Sequence, residues 1–492
     1  MSGTLESLTK VVNAIDDIVW GIPLIAMILA TGVLLSLMLK FRHVFQLGNA
    51  FRYMFHSGDG HHGEVSAFAA LCTALSATIG TGNIVGVATA IATGGPGALF
   101  WMELAAFFGM ATKYAEGLLA VKYRKVCPDG RVLGGPFYYI ERGLGAKWKP
   151  LAVLFAVFGL GTGLLGIGTI AQVHGITSAV QRFFDPGFNP ADPATGIAVF
   201  GGVYSPATMI AGAVATVCVG LVIIGGLKRI AKVAMVIVPF MAISYTAVCL
   251  LVVFGNIEKI PNAIMLIVKA AFNPAAVTGG AVGTMFIAVQ KGIARGIFSN
   301  EAGLGSEPIA AAAAKTNEPA KQGLVSMTGI FIDTTVICTM TGLTIVLSGA
   351  WDPSLGFEGV NITVEAFSRG MAFIPVIQPL MPFFIMCALI FFAFTTILGW
   401  NFYSEKCLEY LIGMHRQRIV KFYRLLFVAV VAIGPYLTIS MVWGIADILN
   451  GLMAFPNLVA LLLLSPVVVK TTKDFLDRHK NGQSLNLENA NP

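Results

Sequence analysis

The residues of this chain best placed to do chemistry stand at glycine-rich gaps inside apolar runs. One gap, Ile79-Gly80-Thr81-Gly82-Asn83, interrupts the run 71–92, and a second, Gln290-Lys291-Gly292, interrupts 281–298. Where a helix restarts at Gly82, the backbone N–H groups of Thr81, Gly82 and Asn83 lack intrahelical partners and aim a positive dipole end at the gap, a geometry that receives a carboxylate. Glycine there lets a ligand approach the backbone. The competing reading is a helix-packing face made by Gly80, Gly82 and Gly86. Gln290, beside Gly292, is a neutral donor and acceptor suited to either end of a zwitterion. The pair Thr395-Thr396, in the run 390–400, supplies adjacent hydroxyls for a hard cation of low charge; threonines in apolar helices also bond their own i−4 carbonyl.

Such residues need elements that hold them, and composition says what kind. Hydrophobic residues make up 56% of the 492 and charged residues only 12%, against about 25% charged in an average soluble domain. Mean hydropathy is +0.79. The net charge of +7 does not point to nucleic acid, because Lys and Arg crowd into alternate segments between apolar runs, which is a topological signature.

Those runs give eleven expected spans, at about 18–39, 66–93, 98–121, 151–180, 207–227, 230–254, 281–298, 323–349, 372–402, 423–440 and 442–469. Most reach the roughly 20 residues that cross a bilayer core, so the chain reads as an all-α integral membrane protein. The basic segments set the N-terminus outside and the C-terminus inside. The first run follows Asp16 and Asp17 and precedes Lys40 and Arg42, so it reads as a retained anchor rather than a cleaved signal. The seven cysteines have no metal-type spacing and read as apolar packers. Setting the first span aside leaves ten, in two sets of five. An odd number per set inverts one against the other, and interrupted segments in corresponding positions of inverted halves mark a secondary transporter's binding site. The expected division is an extra helix and inner loop at 1–65, a first repeat at 66–254, an outer connector at 255–280, a second repeat at 281–470 and a polar cytoplasmic tail at 471–492.

Four blocks make the reading specific: Gly80-Thr81-Gly82-Asn83-Ile84-Val85-Gly86-Val87-Ala88, Gly134-Gly135-Pro136-Phe137-Tyr138-Tyr139-Ile140-Glu141, the run Gly296-Ile297-Phe298-Ser299-Asn300-Glu301-Ala302-Gly303-Leu304-Gly305-Ser306, and Ala446-Asp447-Ile448-Leu449-Asn450-Gly451-Leu452-Met453. In type and order they resemble the alanine or glycine:cation symporter family of the amino acid, polyamine and organocation superfamily. The resemblance implies a LeuT-like five-plus-five inverted repeat preceded by one extra helix. It also implies sodium-coupled, in some members proton-coupled, uptake of a small neutral amino acid across a cell membrane, here a bacterial inner membrane. Serine or glutamine is the alternative cargo. Sodium enters as coupling ion, with no cofactor, and the lipid bilayer is the surrounding partner. The sequence does not fix oligomeric state.

Laid on that pattern, Gln290 faces substrate at the second break. The hydroxyls of Thr395 and Thr396 and the Phe392 carbonyl face the Ser76 and Ile79 carbonyls across a sodium ion. Gln172 and His174, in Gln172-Val173-His174, face the substrate; many relatives carry Asn where His174 stands, which puts alanine preference in doubt. The competing reading of His174 is a packed imidazole.

The remaining intramembrane charges have local readings. Lys291 and Arg295 snorkel to the inner surface or pair with Glu301. Lys113 and Glu116, at i,i+3, neutralise each other, Glu103 is solvated near an outer helix end, and Asp333 has no partner in sequence. The segments 134–145 and 299–314 are expected to meet at the cytoplasmic mouth. No HExxH, GxSxG, P-loop or paired intramembrane carboxylate appears, which argues against an enzyme, and no continuous polar stripe suggests a channel.

Overall fold

The computed structural model describes residues 2–55, 63–128, 130–199, 202–273, 285–413, 416–437 and 439–480. The chain runs α1 (Ser2–Val19), α2 (Ile22–Met38), α3 (Leu47–Phe55), α4 (Ala67–Thr78), α5 (Val87–Gly94), α6 (Gly97–Lys122), α7 (Pro136–Gly143), α8 (Lys149–Leu165), α9 (Ile170–Phe184) and α10 (Pro206–Ile223). It continues through α11 (Gly226–Gly255), α12 (Ile260–Phe272), α13 (Met285–Asn300), α14 (Pro308–Ala311), α15 (Pro319–Ile330), α16 (Thr339–Ser348), α17 (Val360–Gly370), α18 (Met381–Ile412), α19 (Gln417–Ile433) and α20 (Ile439–Lys480). Two small antiparallel hairpins sit in loops, β1 (Lys125–Val126) with β2 (Val132–Leu133) and β3 (Ile197–Val199) with β4 (Gly202–Tyr204).

Among the described residues, nine helical segments are long and apolar enough to cross a membrane, or ten if the bent pair α4 with Gly82–Gly94 is one span. This is a multi-pass membrane protein. The count stops short of eleven at 281–298: residues 281–284 lie outside the described set, and α13 has only 16 residues. Other boundaries move for identifiable reasons. The span expected at 372–402 begins instead at Met381, because Pro375, Pro379 and Pro382 remove backbone donors and are tolerated only in a first helical turn. The span expected at 151–180 is two helices, α8 and α9, separated at 166–169, where Thr169 takes φ −135° and ψ −80°. The connector 255–280 contains α12. The tail expected from 471 is helical as far as Lys480; 481–492 lie outside the described residues.

Helices that the expected repeat would pair do pack on one another in the core. The Gly82–Gly86 turn and α5 pack on α13, α6 packs on α15, and α8 and α9 pack on α18. These are the first-with-sixth, second-with-seventh and third-with-eighth pairs that a two-fold axis in the membrane plane would bring together. Close approach depends on small residues, as expected where packing rather than hydrophobicity drives helix association. A Cβ on Gly399 of α18 would stand 2.8 Å from the Ala77 nitrogen of α4, and one on Gly292 of α13 would stand 2.3 Å from the Ala98 carbonyl oxygen of α6.

Candidate functional site

The first gap is a true break: α4 ends at Thr78, Ile79 is extended at ψ 93°, and the continuation from Gly82 is bent by 54°. Asn83 organises it. The Gly80 N–H, which a continuous helix would send to the Ser76 carbonyl, donates to Asn83 Oδ1 at 2.8 Å. The Asn83 N–H, which would go to Ile79, donates to the Gly80 carbonyl at 3.2 Å. Both i+4 bonds are thereby diverted, and the carbonyls of Ser76 and Ile79 lose their helical donors. Thr396 Oγ1 of α18 approaches the Ile79 carbonyl at 3.4 Å and donates to the Phe392 carbonyl at 2.9 Å. A Cβ on Gly80 would lie 2.6 Å from that hydroxyl and 3.6 Å from Gln172 Oε1, so Gly80 is glycine because threonine oxygen occupies the space.

The second break is not at Gln290-Lys291-Gly292. α13 is unbroken from Met285 to Asn300, since Gly292 provides room against α6 rather than a turn. The helix ends where Glu301 enters the left-handed region at φ +55°, followed by Gly303 at +84° and Gly305 at +82°, and only then does α14 start. Glu301 is held by hydrogen bonds from Ser306 Oγ and, at 3.0 Å, from Trp400 Nε1. The two breaks are tied through Asp333, buried in the π-helical stretch Phe331–Cys338 between α15 and α16. Its carboxylate accepts from Asn83 Nδ2 at 2.8 Å, Ser299 Oγ at 2.9 Å and Thr334 Oγ1 at 2.8 Å.

Above the breaks lies a cavity of about 310 Å³. Thr81, Gly82, His174, Ser178, Arg295 and Phe298 are among its walls, and it leads toward the end of the molecule where α9 finishes and α17 begins. Thr81 Oγ1 and His174 Nδ1 are buried without hydrogen-bond partners, and His174 Nε2 bonds Ser178 Oγ at 2.8 Å. A separate polar cluster is buried in the core, apart from the cavity wall. Lys113 Nζ meets Glu307 Oε2 at 2.6 Å, Glu116 accepts from Asn457 Nδ2 at 2.6 Å, and Asn457 takes a hydrogen bond from Tyr139.

The sequence pattern of the sodium:alanine symporter family matches residues 5–489. The chain belongs to that family. It is 44% identical over 96% of its length to 98% of the sodium/alanine symporter AgcS of Methanococcus maripaludis. It is 51% identical over 97% of both chains to an uncharacterized transporter of Haemophilus influenzae, and 35% identical over 97% of its length to 93% of a probable sodium/glutamine symporter, GlnT, of Bacillus subtilis. In three dimensions it resembles MhsT in complex with L-phenylalanine, with a TM-score of 0.55 at 12% identity, covering 85% of this chain and 99% of that one. That likeness shows a LeuT-like fold. Family and relatives are transporters, not enzymes.

Within this family member the expected site residues divide. Thr81, Gly82 and His174 line the cavity. Gly80, Gln172, Ile79, Phe392 and Thr396 gather beneath it, with Gln172 Oε1 buried and unpartnered, and the Ser76 carbonyl is opened by the same break. Asn83 is turned away into the Asp333 network. Thr395 Oγ1 bonds the Phe391 and Phe392 carbonyls of its own helix, both at 3.0 Å, and faces Met241 Sδ at 3.6 Å. Gln290 and Gly292 lie outside the cavity wall.

The charged groups also re-sort. Lys113 pairs with Glu307 instead of Glu116, because i,i+3 proximity on one helix loses to a direct contact across helices. Glu103 faces Thr335 and Thr339 with one oxygen buried rather than solvated. Arg295 lines the cavity with its guanidinium carbon 5.6 Å from the Phe298 ring centre, and does not pair with Glu301. The loops 134–145 and 299–314 do meet, as a Cβ on Gly134 would stand 2.3 Å from Ala312 Cβ. The missed second break had a signal in the glycines of Glu301-Ala302-Gly303-Leu304-Gly305. Nothing in sequence spacing announced Asp333 or Arg295.

Proposed function

We propose that this transporter carries out sodium-coupled symport of a small neutral amino acid, alanine or glycine in first place, by alternating access, with its N-terminus outside and its cavity facing outward. The observation that supports this most is the pair of diverted helical bonds that frees the Ser76 and Ile79 carbonyls, with Thr396 Oγ1 bridging the Ile79 and Phe392 carbonyls. Weakly charged oxygens suit sodium, and the restarting helix at Gly82 presents its positive end to a substrate carboxylate. Serine or glutamine is favoured by a second observation, since about 310 Å³ falls within the range of pockets that take ligands larger than alanine. Purified protein in proteoliposomes, given an inward sodium gradient and labelled alanine, tests the reading. Uptake should require sodium, and unlabelled glycine, L-alanine, D-alanine, serine and glutamine added in turn rank the cargo. Uptake driven equally by a proton gradient without sodium would overturn the coupling ion. Absence of competition by every one of these amino acids would overturn the substrate class.

A further inference from the structure

Arg295 stands in an unusual place for an intramembrane cation. It sits on α13 one turn before Phe298, half-buried, with its guanidinium stacked near that ring at 5.6 Å. Phe298 in turn packs on the restart of the first broken helix, where a Cβ on Gly82 would be 3.5 Å from Phe298 Cδ1. Among the described residues, the cavity wall carries three titratable side chains, His174, Arg182 and Arg295, and no Asp or Glu. Arg182 is exposed at the rim and donates to Asn361 Oδ1 at 2.7 Å, whereas Arg295 makes no ion pair within 4.0 Å among the described residues. Asp447 on α20 and Asp16 on α1 are close enough for their charges to interact with Arg295. Each has a carboxylate oxygen, Oδ1, that is buried and without a hydrogen-bond partner.

We infer that Arg295 reads the carboxylate of the incoming amino acid. A planar guanidinium binds a carboxylate through two parallel N–H···O bonds, which adds direction as well as charge. A cation kept inside a membrane span without an ion pair is otherwise costly, and such residues mark substrate paths. The helix restart at Gly82 and Arg295, adjoining through Phe298, then present positive potential to one end of a zwitterion from two sides. The charges of Asp447 and Asp16 also act on Arg295 without forming an ion pair with it. Arg295 is thereby assigned to selecting an α-carboxylate, a discrimination separate from side-chain size.

The assignment rests on the amino-acid reading above, and the experiment separates the two. Full-length protein in proteoliposomes is first given alanine, glycine, serine and glutamine under a sodium gradient. Failure of the unaltered protein to take up any of them removes the amino-acid reading and this inference with it. The best-transported amino acid is then compared with its carboxamide, which lacks the negative charge, as competitors in the unaltered protein, R295Q and R295K. The expected result is a preference for the carboxylate form that falls at least tenfold in R295Q, through a raised half-saturation for the amino acid and less than twofold change for the carboxamide. R295K, which keeps charge but loses the fork, should fall in between. An unchanged ratio in R295Q, whatever its maximal rate, overturns the inference. Should R295Q not survive purification, an unchanged ratio in R295K overturns it equally.

Discussion

At the scale of single residues, the two adjacent threonines of α18 have different jobs. Thr396 reaches across to the Ile79 carbonyl, while Thr395 spends its hydroxyl on its own helix beside Met241. Thr396→Ala should raise the sodium concentration for half-maximal uptake about tenfold, in keeping with about 1–3 kcal/mol for a lost buried polar contact. Thr395→Ala should leave it within about twofold, because an i−4 bond within a helix contributes little that the backbone does not already supply. Sodium titrations of uptake in the two variants distinguish them, and a larger effect in Thr395→Ala would reverse the assignment. Both oxygens were visible in the sequence as a Thr-Thr pair. Which of them faces the broken helix was not, since neighbouring positions on a helix point about 100° apart and only the packing of α4 and α11 fixes that rotation.

At the scale of elements, the first break is held open from outside itself. Asn83 replaces one helical acceptor for Gly80 and anchors its amide on Asp333, which also takes the Ser299 hydroxyl at the end of α13. The first break and the end of α13 are therefore both referenced to the π-helical stretch between α15 and α16. Asn83→Asp places a carboxylate against Asp333, and Asp333→Asn removes the acceptor charge that three donors share. Either single change should cut uptake more than tenfold, while the exchanged pair, carrying both substitutions, should recover a large part, because one carboxylate and one amide again face each other. Uptake assays with surface-expression controls measure this; no recovery in the exchanged pair would mean that the link is only one of packing. The second break illustrates why the gap at Gln290-Lys291-Gly292 misled. A glycine in an apolar run serves equally as a turn or as room for a neighbouring helix, and Gly292 is the latter, against Ala98.

At the scale of the whole molecule, a buried polar cluster joins distant parts of the chain. Lys113 on α6 faces Glu307, and Glu116 and Glu301 lie in the same region, with Asn457, Tyr139 and Trp400 completing the hydrogen bonds. One lysine thus offsets several carboxylates, so losing it leaves more uncompensated charge than losing one acid. Lys113→Met should destabilise the protein by about 3–5 kcal/mol, the cost of breaking a buried pair from one side. Glu307→Gln should cost less, and the double variant should be more stable than Lys113→Met alone. Thermal unfolding in detergent ranks the three, and a double variant no better than Lys113→Met would show that Glu307 is not the group Lys113 neutralises.

Composition and the spacing of apolar runs determined that the chain is helical and crosses a membrane many times, because a bilayer accepts only segments that satisfy their own backbone bonds over about 20 residues. The glycine-rich gap at 79–83 marked the first break, because glycine leaves room for a neighbouring group to approach a backbone that has left the helix, and the four sequence blocks marked the family. Tertiary structure decided the rest. Whether Gly292 was a turn or a contact, which threonine met Ile79, where Asp333 found its three donors and toward which space Arg295 pointed all depend on helix rotation and on partners hundreds of residues away. Periodicity along one helix reports which side chains share a face, and only the packed neighbour says what that face meets.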